Sequence, residues 1–81
     1  MERIGFEGIW SGLALIQKSL LKALAKEPTP SPYAREFLER HRLSVGGTQK
    51  AMQVLLARDL VEKDEQTFRL TDPVMADWLK E

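Results

Sequence analysis

Cysteine is absent from the 81 residues, which excludes disulfides, thiolate nucleophiles and cysteine-ligated zinc. One histidine, His41, cannot hold a metal by itself. A surplus of either charge is missing too: 12 Lys and Arg offset 12 Asp and Glu. No global field therefore draws the chain towards nucleic acid or an anionic membrane, and any such site must be a local patch. Long apolar runs are also lacking, because Gln17, Lys18 and Lys22 interrupt the richest stretch well short of the roughly 20 apolar residues that span a bilayer. Glu2, with no basic run around it, does not read as a signal peptide. A cytoplasmic address with no membrane partner is the expectation. No acid–base pair, nucleophile or phosphate-binding G-x-x-x-x-G-K-S/T loop is apparent, so no enzyme activity, cofactor or metal is expected.

What the chain does have is a change of hydrophobic period. Ala51, Met52, Leu55 and Leu56 follow the spacing of one helix face, and Leu60-Val61 then opens a β-prone run. Ser44 is placed to cap that helix. Past the polar turn Asp64-Glu65-Gln66, Thr67-Phe68-Arg69-Leu70 forms a second strand, with Phe68 and Leu70 inward and Arg69 outward. Helix, turn, helix and hairpin make a winged helix: mainly α with a small β-hairpin (α+β), a three-helix core, a wing and a C-terminal helix.

The flanking segments support this reading. Residues 1–10 mix Ile4, Phe6, Ile9 and Trp10 with Gly5 and Gly8, and read as an extended lead-in or linker ahead of a domain at 11–81. Ser11 is expected to cap a helix reaching Lys26, with Leu13, Ile16, Leu20, Leu21 and Leu24 inward and Lys18, Lys22 and Lys26 solvated. Pro28-Thr29-Pro30 ends it and leaves room for a very short edge strand. Ser31-Pro32 is a cap followed by proline at the first helical position, starting a helix to about His41 that buries Ala34, Phe37 and Leu38. His41 reads as a C-terminal cation or a packed ring rather than a base. Asp72-Pro73 repeats the cap-then-proline logic for a last helix, Val74 to Lys80, whose Trp78 is expected to pack on the helix of residues 11–26. Phe37, Leu55, Phe68, Asp72, Pro73 and Trp78 are the structural anchors.

In the central helix, Thr48, Ala51, Met52, Leu55 and Leu56 project inward, while Lys50, Gln53, Val54 and Ala57 face out with Gln49 on the flank. Gly46 and Gly47 have two readings, bare N–H groups for an anion or close approach of two helices. Should this helix enter a major groove, Thr48, Gln49, Lys50 and Gln53 would face bases, with Arg42 and Arg69 on phosphates.

The stretch from Ile16 to Leu79 resembles the C-terminal winged-helix domain of the archaeal-type, AAA-related P-loop ATPases. The resemblance lies in Gln17-Lys18-Ser19-Leu20-Leu21-Lys22-Ala23-Leu24-Ala25, in Leu43-Ser44 with Thr48 and Ala51, and in Leu55 with Asp59-Leu60-Val61-Glu62-Lys63. Its most specific part is Phe68-Arg69-Leu70-Thr71-Asp72-Pro73 followed by Trp78-Leu79. It implies an accessory module whose partner is an N-terminal ATPase domain or another protein. The chain is then either a piece of a larger protein or a small homologue acting alone. The alternative is a module for double-stranded DNA, within such an ATPase or as a free-standing regulator. A homodimer would be one route to useful specificity there. The two acids at the wing tip, which repel phosphate, favour the protein-contact reading.

Overall fold

The computed structural model describes residues 2–80, with side chains from residue 5 onwards. Its elements run α1 (Glu2–Ser11), α2 (Leu15–Lys26), α3 (Arg35–His41), α4 (Val45–Ala57), β1 (Val61–Asp64), β2 (Thr67–Leu70) and α5 (Pro73–Lys80). The expected mainly helical winged-helix architecture is what the chain adopts. Helix α2 is the hub: α3, α4, α5 and β2 all pack on it. Its Leu20, Leu21 and Leu24 are wholly buried beside Phe37, Met52 and Leu55, where each large apolar side chain contributes about 1.5 to 3 kcal/mol.

The N-terminal segment departs from expectation. It is a helix, not an extended lead-in, and Phe6, Ile9 and Trp10 line its inner side at i, i+3 and i+4. Met1 and the Ile4 side chain lie outside the described residues. Nor does one helix run from Ser11 to Lys26. The chain breaks at Gly12-Leu13-Ala14, where Leu13 turns into the core and the Gln17 side-chain carbonyl accepts the Ala14 N–H at 3.0 Å. The Ser11 hydroxyl donates back to the Gly8 carbonyl instead of capping α2.

Helix α3 starts one turn later than the Ser31-Pro32 pair suggests. The Ser31 N–H donates to the Thr29 hydroxyl at 3.0 Å, and the Ser31 carbonyl accepts from the Ala34 N–H at 3.1 Å. Buried Pro32 thus sits at the second position of a β-turn, a site its fixed φ suits as well as helix entry. The ends of α3 and α4 are alike. The Leu43 N–H reaches the Leu38 carbonyl, the Leu60 N–H reaches the Leu55 carbonyl, and Arg42 and Asp59 take left-handed φ values of 57° and 59°.

The hairpin pairs Asp64 with Thr67 and Val61 with Leu70, leaving the two-residue turn Glu65-Gln66 with φ of 51° and 74°. Both central residues with positive φ match the twist of the strands. Thr29 bridges the free edge of β2 at Phe68, which is the short edge strand expected between the prolines. Leu70 is buried and Phe68 half-buried, while Arg69 faces out. Asp72 caps α5, its carboxylate accepting the Val74 N–H at 2.8 Å, with Pro73 at the first position. Trp78 is half-buried and packs against the core, and it has further aromatic partners on α1, Phe6 at 6.0 Å and Trp10 at 6.2 Å. Met75, 2% exposed, is the residue α5 sends into the core.

Candidate functional site

The residues singled out in the sequence for ligand contact lie mainly on α4 and the wing. Ser44 starts α4 as expected, its hydroxyl accepting the Gly47 N–H at 3.1 Å. A Cβ on Gly47 would lie 2.7 Å from that hydroxyl and 3.3 Å from Ile16 of α2, so this glycine exists for close approach of two helices. Gly46 has open space around it.

The six residues singled out for ligand contact do not form one group. Thr48 is fully buried, with its hydroxyl lacking a hydrogen-bond partner, and cannot touch a base edge. Gln49, Lys50 and Gln53 are exposed together on α4, with Val54 37% exposed beside them. Leu56, expected inward, is also partly exposed, because Leu55 alone completes the buried stripe at that turn. Arg42 is exposed at the end of α3.

Arg69 is the residue whose surroundings change its meaning. Its Nε lies 3.0 Å from a Glu62 carboxylate oxygen, and a terminal nitrogen lies 2.7 Å from Asp64. The hydrogen bond to Glu62, with Asp64 next, raises its pKa further above the ordinary arginine value. The guanidinium is thus committed to two acids of its own hairpin. Sequence reasoning missed this pairing, although the two-residue turn places Glu62 directly across from Arg69. Lys63, the other cation of the wing, lies 5.3 Å from the Phe68 ring centre.

His41 is a packed ring, as anticipated. It lies 4.6 Å from the Phe37 ring, and its Nε2 sits 2.9 Å from Glu27. Glu27 also accepts from Arg40 Nε at 2.9 Å, and these bonds, Arg40 first and His41 second, lower its pKa to about 2. The trio joins the end of α2 to the end of α3. Among the described residues no group of His, Asp and Glu is arranged to hold a metal, and no helix is long and apolar enough to cross a membrane.

A family model described as a probable winged helix domain matches residues 4–81. No curated protein and no solved structure gives a significant match. The order of helix, turn, helix and two-stranded wing agrees with that match, and the chain belongs to this probable winged helix domain family.

Proposed function

We propose that the chain is a non-catalytic accessory domain that makes protein contacts through α4 and its flank, as the C-terminal module of a P-loop ATPase of the kind it resembles. The observation that carries this reading is the state of the cations. On the exposed face of α4 only Lys50 is cationic, and the wing arginine is held by Glu62 and Asp64. Val54 and Leu56 add exposed apolar area of a kind that suits a protein surface. A phosphate-loop domain encoded upstream in the same gene would establish the parentage.

Duplex DNA is the second reading, favoured by Gln49, Lys50 and Gln53, which are exposed together on one helix and chemically able to read a major groove. The two readings separate on salt dependence. With Arg69 committed, Arg42 and Lys50 remain of the three cations singled out for ligand contact, so the slope of log affinity against log salt is expected near −2. Titrating duplexes over a salt series, with Lys50→Glu in parallel, is the test. Weak, unselective binding that vanishes towards physiological salt agrees with a protein-contact module. Tight, sequence-selective binding with a steep slope overturns it.

A further inference from the structure

A concentration of positive charge lies away from α4. Lys18, Lys22 and Lys26 recur every fourth residue of α2, so they share one side of the helix. Between α1, α2 and α5 this side overlooks an open groove of about 470 Å³. Its apolar surface comes from Trp10, Trp78 and Leu79, and its cations are Lys22, Lys26 and Lys80. Lys18 and Lys22 place their ammonium groups 5.8 and 5.7 Å from the centre of the Trp10 ring. Among the described residues two acids accompany them: Glu7 also lines the groove, and Asp77 lies 3.8 Å from Lys80. In a chain whose charges balance overall, four lysines around two tryptophans are a local excess.

We propose that this groove docks an acidic peptide segment of a partner protein, with aromatic or aliphatic side chains seated against Trp78 and Leu79 and carboxylates on the lysines. The inference rests on the protein-contact reading in taking the partner to be a polypeptide, but it concerns a different face and adds the partner's chemistry. Charge complementarity sets the sign of the ligand. The state of the rings separates peptide from single-stranded nucleic acid, which needs open ring faces on which bases stack. Trp10 meets Trp78 edge-on at 87° and already carries two ammonium groups. A stacked base must displace those cations, whereas a carboxylate joins them where they stand. Lysine stems flanking the tryptophans extend the apolar floor without burying the charged heads.

Both tryptophans of the chain line the groove, so intrinsic fluorescence reports its occupancy directly. The probe is a labelled synthetic peptide of repeated Asp-Glu-Leu-Phe blocks, titrated into the 81-residue chain at low salt, with tryptophan emission and peptide anisotropy followed together. A saturable change in both is expected. The Lys22→Glu/Lys26→Glu variant should weaken binding about tenfold or more, since two attractions become repulsions. Lys22→Gln/Lys26→Gln should fall between, and Arg35→Glu on α3, an exposed cation outside both faces, should bind as the parent does. Absence of a saturable response, or equal affinity in the reversed variant, overturns the proposal. Oligothymidylate that binds more tightly at the same salt and displaces the peptide also overturns it, in favour of nucleic acid. Failure of the protein-contact reading of α4 has another signature, tight duplex binding lost on Lys50→Glu.

Discussion

The wing and the α1–α2–α5 groove hold their positive charges in opposite ways. On the wing, Arg69 lies between Glu62 and Asp64 on the same hairpin, so the charge is neutralised where the strands pair. In the groove, Lys18, Lys22 and Lys26 come from one helix, and the ammonium groups of Lys18 and Lys22 lie over the Trp10 ring. A neutral chain can therefore neutralise its wing arginine while gathering lysines on another face. Composition alone cannot show this, because only the side-chain neighbours say which cations have partners.

The largest expected effect tests whether the groove wall is built into the domain. Trp78 is half-buried and packs against Phe6 and, edge-on, Trp10, so Trp78→Ala should cost about 2 to 4 kcal/mol, below the range for a fully buried ring. Exposed Lys50→Ala is the control and should leave the denaturation midpoint near that of the parent. Similar midpoints for the two variants would mean that α1 and α5 are loosely attached and that the groove is not a fixed feature.

The elements that were legible in the sequence are those whose signals are local. Ser44 before α4, Asp72-Pro73 before α5 and the alternation through Phe68 to Leu70 each declare themselves within a few residues. Helix α1 was hidden because Gly5 and Gly8 lower its propensity, and its apolar stripe is supported by the core and by α5, far along the chain. Ser31-Pro32 misled because the same dipeptide suits a turn, and the Thr29 hydroxyl selected the turn. For the candidate site, Gln49, Lys50 and Gln53 were correctly read as exposed. The commitment of Arg69 needed the hairpin register, and the groove needed three helices brought together.

Next in size is a contrast within α4 itself. Gly46→Ala adds a Cβ into open space at a helical position and should stabilise by up to about 1 kcal/mol. Gly47→Ala puts that carbon against the capping Ser44 hydroxyl and Ile16 of α2, so it should destabilise by about 1 kcal/mol as the cap is lost and the helices are pushed apart. Thermal melts of the two variants should move in opposite directions. Movement in the same direction would show that the end of α4 is not held against α2 as tightly as the geometry implies.

Arg40 is a third way of holding a cation, paired with Glu27 across two helices, and acid separates it from the others. The folded-state pKa of Glu27, about 2, lies below its ordinary 4.5. Its contribution is therefore complete above 4.5 and is lost as pH falls from there towards 2. Glu27→Gln should lower the urea midpoint at neutral pH and flatten its decline across that acid window. An unchanged acid limb would mean that other carboxylates govern acid unfolding.

The smallest effect on stability, and the most direct way to break the contrast between the two regions, is to release the wing arginine. Glu62→Gln with Asp64→Asn removes both partners of Arg69 while keeping side-chain size. These are exposed pairs, and such pairs contribute little to folding, so the midpoint should barely move. The consequence should appear in the salt series instead. One more available cation beside Arg42 and Lys50 should steepen the duplex slope from about −2 to about −3, with tighter binding at low salt and no gain in sequence preference. An unchanged slope would mean that neutralisation by Glu62 and Asp64 is not what keeps the wing from phosphate, and the protein-contact reading would lose the observation on which it chiefly rests.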